Sequence, residues 1–487
     1  MRTLNGASKR LNKSLSLQRM KNYLGQTLWL TILVALLTSA LGFLPEGIRI
    51  GGFTLRTMDI FGDIRKPLPP SPPPDTIPVP DTLEVALPPD ADDVSSDYIL
   101  PPVDSLLFGQ ILEDYSRDRQ GLAAFFAATD SIRAHKRRVR VAFFGDSFVE
   151  GDIVLGDLRD TLQTLWGGQG VGFVPITSEV ARFKRTLQHE YAGWTTYSIV
   201  RKPPEHPAFG INGFAYTPGA NARIQYQGAS AFRHTKSWSQ FRLFYGGDSL
   251  SSFWYAVNGR DTLFSQPTPV APGMPGVLEI KRSGMRAIEL QFPNPGGWVL
   301  YGASLEDGPG FYLDNFSVRG NSGGKLKLIE PAMMQDFDRL QGYDLVIVQL
   351  GLNAITNGLD NVDWYRWELD GTFAHLKRCF PDRPILIVGV PDRAGKIADT
   401  LCTLPAVPVI VDMQRDLARK YGFLFYDLYR GMGGSGTMIR FATEKPALAS
   451  KDFTHLTHEG GRTISRLFAR VLLEEKARIL ERKRNAN

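Results

Sequence analysis

Cysteine is scarce: Cys379 and Cys402 are the only two among 487 residues. A disulfide framework is therefore not required, because a chain this long can build its own core. The spacing of the two does not suit a zinc site. Cys379 ends a predicted helix and Cys402 lies in a loop-like stretch, so their pairing stays open. Basic clusters are absent beyond the N-terminal tail, and no nucleic-acid-binding module is recognisable, which excludes a nucleic-acid partner. No metal-ligand cluster and no cofactor motif stands out. His458 follows His455 by three positions, but nothing nearby completes a ligand set, and the residue reads as a solvated loop histidine.

Acidic residues are missing from 1–23, where Arg2, Lys9, Arg10, Lys13, Arg19 and Lys21 make a basic tail equal to the whole net charge of +6. Charge of either sign is missing from 24–44 (LGQTLWLTILVALLTSALGFL). At ~1.5 Å per residue such a run spans the ~30 Å hydrocarbon core of a bilayer. Basic residues before it predict a single pass with the N-terminus in the cytoplasm and the remainder translocated. The address is then the inner (cytoplasmic) membrane, with a periplasmic or extracytoplasmic globular part. A cleaved signal peptide is the rival reading. Its apolar stretch would be shorter, ~7–15 residues, and Ser39-Ala40-Leu41-Gly42 is a weak cleavage site. The following segment, 45–105, contains a stretch from Lys66 to Pro102 that is about one-third proline. It reads as a stiff polyproline II spacer.

Beyond it the hydropathy pattern changes twice. In 106–175, helical spacing over 108–137 precedes an apolar strand, 138–144, and a helix, 156–166. From 176 to 315 short alternating runs are punctuated by turn signals such as Asn258-Gly259 and Asn294-Pro295-Gly296-Gly297, which predicts an all-β, jelly-roll-like sandwich. In 316–487 near-continuous apolar runs at 343–350, 384–390 and 423–427 alternate with helices at 364–378, 413–421 and 460–484. That alternation predicts a mainly parallel sheet covered on both faces. The fold class is α/β, a three-layer α/β/α sandwich interrupted by the β-insertion.

The strand Val139-Arg140-Val141-Ala142-Phe143-Phe144 runs into Gly145-Asp146-Ser147, which puts a serine at the carboxyl edge of the sheet, where open α/β sheets bind ligands. About 300 residues later, Asp452-Phe453-Thr454-His455 precedes the last helix and offers a base with its carboxylate. Between them Gln349-Leu350-Gly351-Leu352-Asn353 closes another strand at the same edge. Each piece alone also reads as helix capping. Together they supply a nucleophile, a base, an orienting acid and an amide donor, the set needed for acyl transfer.

In that order the blocks resemble those of the SGNH (GDSL-type) hydrolases, over 106–175 and 316–487. The segment Gly167–Pro175, the β-insertion and Gly431-Met432-Gly433-Gly434 are similar to the peptidoglycan O-acetylesterase branch, in which a carbohydrate-binding-module-like domain interrupts the fold. The resemblance implies Ser147 as nucleophile, His455 as base and Asp452 as its partner. It implies an oxyanion hole from the Ser147 and Gly320 backbone N–H groups and the Asn353 side chain. Gly323 and Gly324 follow closely on Gly320, and Ala354 stands where the family has aspartate. The implied activity is removal of O-acetyl groups from peptidoglycan or another polysaccharide. Two alternatives are an O-acetyltransferase that takes acetyl from a partner membrane acyltransferase, and a non-catalytic glycan-binding protein. Asp392-Arg393 at the same edge is a further candidate, as substrate contact or structural ion pair. Trp194, Trp238, Trp254 and Trp298 of the insertion are candidates for sugar stacking or core packing.

Overall fold

Strands with no polar alternation must be covered on both faces, and the apolar runs of this chain are placed accordingly. In a computed structural model, residues 29–33, 49–50, 53–54, 112–201 and 203–486 are described. The chain divides into two units, Met1–Asp97 and Tyr98–Asn487. In the first, 29–33 are helical and Arg49–Ile50 pairs antiparallel with Phe53–Thr54. The rest of the expected membrane span 24–44, and the proline-rich part of the spacer, lie outside the described residues. Among the described residues no helix is long and apolar enough to cross a membrane.

In the second unit the chain runs β1 (Glu113–Asp114), α1 (Ala123–Asp130), β2 (Arg138–Gly145) and α2 (Leu155–Trp166), then through the insertion. It resumes with β3 (Gly310–Ser317), α3 (Pro331–Gln341), β4 (Leu345–Gln349), α4 (Val362–Cys379), β5 (Ile385–Val388), α5 (Ala406–Tyr421), β6 (Leu424–Tyr426) and α6 (His458–Ala486). The sheet order is β3-β2-β4-β5-β6-β1; the first five strands are parallel and β1 is antiparallel. After β2 the chain steps to one side for β3 and then to the other for β4. Right-handed crossovers therefore put α2 and α3 on opposite faces. Accordingly α6 packs on α1 and α2, while α4 packs on α3 and α5. The reversal makes the end of β2 the topological switch point, where ligands of such sheets bind.

The insertion is a set of nine hydrogen-bonded antiparallel strands. Its longest strand, Phe214–Gly228, pairs with Leu187–Ser198 and Ala287–Phe292. Inward side chains, among them Trp238, Trp298, Tyr226 and Phe253, form a core of their own. Two boundaries differ from the sequence expectation. Gly172–Val174 pairs with Val299–Glu306 of the insertion, so the β-domain begins before 176. Gly310–Ser317 lies parallel to β2 and belongs to the parallel sheet, so the insertion ends before 315. The polar pair Asp314-Asn315 disguised this strand, because both side chains face partners inside the protein.

Those partners tie the two parts together. Arg140 of β2, fully buried, meets Asp314 of β3 at 2.9 Å and Glu306 of the insertion at 2.7 Å. Asp314 also accepts hydrogen bonds from the Phe173 backbone N–H (2.9 Å), Gln341 and Tyr343. Phe173 and Phe244 of the insertion pack with Phe316 and Phe337 at centroid distances of 5.0–5.3 Å. A buried ion cluster is no net gain over apolar packing, but breaking it strands a charge, so it enforces one docking of insertion on sheet.

Candidate active site

Three neighbouring strands end in register: Ser317 of β3 and Gln349 of β4 both face Gly145 of β2. The three loops that follow carry Gly320, Asn353 and Ser147. Bringing these residues together is a consequence of strand register, not of any local motif.

After Gly145 the chain turns sharply. A Cβ at Gly145 would lie 2.2 Å from Val149 Cγ2, so the tight turn requires glycine. Asp146 is completely buried and its Oδ1 accepts a hydrogen bond from the Phe148 N–H (2.9 Å), while the Leu352 N–H of the Asn353 turn approaches the same carboxyl without a hydrogen bond in good geometry. Burial pushes its carboxyl up to about 7, with the two N–H donors and His455 pulling the other way. The sequence pattern shows Asp146 only as a cap; its complete burial beside a second loop is a tertiary fact.

Ser147 Oγ lies 3.0 Å from His455 Nε2, and His455 Nδ1 lies 2.7 Å from Asp452 Oδ2. Asp452 Oδ1 also accepts the Thr454 and His455 backbone N–H groups at 3.0 and 3.1 Å. Partial burial would raise the Asp452 carboxyl, but the His455 ring and these N–H groups outweigh it and hold the pKa below the usual carboxylate value. The carboxylate thus stays ionised beside the imidazole. The loop is clamped by Ser450 N–H to His455 O (2.8 Å), Thr457 N–H to Leu448 O (3.0 Å) and Ala394 N–H to Phe453 O (3.2 Å). At the start of α6, a Cβ on Gly460 would meet Leu448 O at 1.8 Å, and one on Gly461 would meet Ile153 O at 1.9 Å. This glycine pair lets the helix press the histidine loop against the chain just beyond Ser147. The adjacent glycines Gly460-Gly461 are the sequence signal of this close approach.

Gly320 has φ of +79°, a left-handed conformation that glycine adopts without penalty. Among the described residues, neither its backbone N–H nor that of Ser147 has an acceptor. Asn353 stands exposed on a 3₁₀ turn, Leu352–Ala354, and its Nδ2 donates to Asn321 O at 3.2 Å. Arg393 supports this turn by donating to Leu352 O (2.8 Å) and Ile355 O (3.1 Å), and Asn361 donates to Ala354 O. Side chains donating to backbone carbonyls thus hold the loop that carries Asn353 and Ala354. Arg393 thus braces the turn that carries Asn353. Asp392 is buried and accepts from Thr403 and the Met438 N–H, each at 2.8 Å, so it forms neither the expected ion pair nor an exposed contact.

The remaining candidates separate. Trp238 and Trp298 are core residues, Trp254 is exposed against Phe264, and Trp194 is partly buried in a cavity wall. His458 begins α6. Cys379 is buried, Cys402 is half-buried, and both are free.

No protein-family model and no curated protein matches the sequence. Among solved structures, one described as "Peptidoglycan O-acetylesterase in action" superposes with a TM-score of 0.60 at 21% identity, over 75% of this chain and 99% of that one. An acetyl xylan esterase, AlAXEase, overlaps 32% of this chain and 79% of its own, with TM-score 0.25 and 17% identity. Axe2, an acetylxylan esterase from Geobacillus stearothermophilus, overlaps 34% of this chain and 73% of its own, with TM-score 0.25 and 20% identity. Of these three, the first is extensive enough to bear on the fold. This chain shares the fold of that structure, a mainly parallel α/β sheet with a β-domain inserted after α2.

Proposed function

We propose that this protein is a serine esterase that removes O-acetyl groups from a cell-envelope polysaccharide, with peptidoglycan as the substrate the fold likeness favours. The observation that carries the reading is the unbroken relay from Ser147 Oγ through His455 to Asp452, at 3.0 and 2.7 Å. A serine hydroxyl is a weak nucleophile until an imidazole removes its proton. Asp452 holds the His455 tautomer with Nδ1–H toward itself, which leaves Nε2 free to take that proton. Ser147 Oγ would then attack the acetyl carbonyl carbon. The developing oxyanion would be met by the Ser147 and Gly320 N–H groups and the Asn353 amide, each donor worth ~10²–10³ in rate. His455 returns the proton to the departing sugar oxygen, and water repeats the sequence to free acetate from the acetyl-serine.

The address belongs to the same proposal. The run 24–44 would anchor the chain in the inner membrane with the N-terminus inside, and the proline-rich segment would carry the catalytic unit toward the wall. The test is acetate release from O-acetylated peptidoglycan and from an aryl acetate by the full-length protein in detergent. Ser147→Ala should lower both by at least ~10³. Unchanged turnover in that variant would end the assignment, and acetyl appearing on an added glycan in place of free acetate would move it to a transferase.

A further inference from the structure

Where the insertion meets the catalytic sheet lies a cavity of about 280 Å³. Its inner wall is built by Glu150 and Gly151, three and four residues after Ser147, and by Val318 and Arg319, immediately before Gly320. Its outer wall is the insertion strand carrying Tyr191, Trp194 and Thr196. The cavity adjoins the nucleophile without containing it. The insertion also reaches the oxyanion loop directly, since a Cβ on Gly320 would lie 3.6 Å from Val200.

The chemistry of the lining selects the occupant. Its charges are internally paired: Glu150 with Arg319 at 2.5 Å, Glu179 with Arg201 at 2.8 Å, and Lys184 with buried Asp152 at 3.3 Å. Such a cavity offers no uncompensated charge to an ionic ligand. Two aromatic rings are fixed by hydrogen bonds, Trp194 Nε1 to Arg223 O at 2.8 Å and the Tyr191 hydroxyl to Ser178 O at 2.9 Å. Trp194 is braced further by edge-on contact with Phe292 at 5.3 Å. The hydroxyls of Thr177 and Thr196, 2.8 Å apart, stand on the same walls. Asn212 is 4% exposed, and its amide nitrogen has no hydrogen-bond partner in good geometry, only an approach to the Tyr216 hydroxyl. Pre-set aromatic faces, hydroxyls and an unsatisfied amide suit an uncharged, hydroxyl-bearing ring. The volume lies just below the ~300–1,000 Å³ of drug-sized sites, which suits one ring and its substituent.

We propose that this cavity is a subsite for a neutral sugar unit of the polysaccharide, the neighbour of the unit whose acetyl ester reaches Ser147. The insertion thereby supplies part of the substrate site. This deepens the esterase reading and rests on it for its position in the reaction. Binding energy gathered on a non-reacting sugar helps place the ester against the nucleophile.

The experiment compares full-length wild type with Trp194→Ala and with Thr196→Trp, which would fill the cavity from its exposed wall and spare the core. The substrates are O-acetylated peptidoglycan fragments and an aryl acetate that carries no sugar. The expected result is a fall of about tenfold in the ratio of kcat/KM on the fragments to that on the aryl acetate, for both variants. A constant ratio overturns the subsite. In parallel, de-O-acetylated fragments are titrated into the Ser147→Ala protein while tryptophan fluorescence is followed. A saturable change that disappears in Ser147→Ala/Trp194→Phe supports the subsite, and its absence in the Ser147→Ala protein counts against it. Wild type inactive on both substrates would overturn the esterase reading, and the titration would still decide whether the cavity takes sugar.

Discussion

Replacing Asp146 by asparagine should change how stability depends on pH, and the size of the change follows from its burial. The carboxyl has no exposure and is pushed up to about 7 in the folded protein, against ~3.9 in an unfolded chain. Between those values the native state holds one proton more than the unfolded state. Stability must then fall as pH rises, by ~1.4 kcal/mol per pH unit, until the folded carboxyl has ionised. The contribution is complete below ~4 and lost through about 7. The amide in Asp146→Asn mimics the neutral acid in shape and carries no titrating proton, so the variant's profile lacks this slope. Urea midpoints at pH 5, 6, 7 and 8 give the comparison. The variant should gain on wild type by roughly 3 kcal/mol between pH 5 and 8. Parallel profiles would refute the reasoning and mean that Asp146 is ionised in the fold throughout this range.

Other consequences are as direct. Asn353→Ala should lower kcat on an aryl acetate by ~10²–10³ with little change in KM, because the amide acts on the developing oxyanion; an equal rise in KM would contradict it. Arg140→Met should destabilise by ~3–5 kcal/mol in urea, since it leaves Asp314 buried without its cation and Glu306 with only Arg138 and Arg242, at 3.3 and 3.6 Å. A loss below ~1 kcal/mol would show that the cluster does not hold the insertion in place. The turn at Ala398-Asp399 has φ of +45° and +65°, a conformation that Asn-Gly adopts at lower cost. The double change Ala398→Asn, Asp399→Gly should therefore raise stability by ~1 kcal/mol, read as a higher thermal midpoint.

Legibility in the sequence varied with physical cause. The run 138–144 was readable because a strand buried on both faces needs uninterrupted apolar residues, and β2 is buried in all but its first position. Helix α5 was expected from 413 but begins at Ala406. Pro405 and Pro408 obscured its start, although proline is tolerated in a first turn whose N–H groups have no helical partners. The hairpin Ala394–Ile397 with Thr400–Thr403 was not anticipated, since Ala398-Asp399 carries none of the Asn-Gly signature of its turn. β3 was assigned to the insertion because Asp314 and Asn315 broke its apolar run; their partners, Arg140 and Asp152, are distant in the chain.

Taken alone, the sequence determined the ingredients: an uncharged run behind a basic tail, an all-β segment between two α/β segments, and the serine, asparagine and aspartate–histidine blocks in order. Each is a local matter of periodicity or composition. Only tertiary structure decided that Ser317, Gly145 and Gln349 share one register, so that three loops converge on Ser147. It also decided that Asp146 is completely buried beside the Leu352 turn and that the insertion's Tyr191 and Trp194 wall a cavity nearby. Those relations depend on side chains hundreds of residues apart meeting in a dry interior. There, pairing and desolvation are set by the neighbours in space, which no local pattern in the chain records.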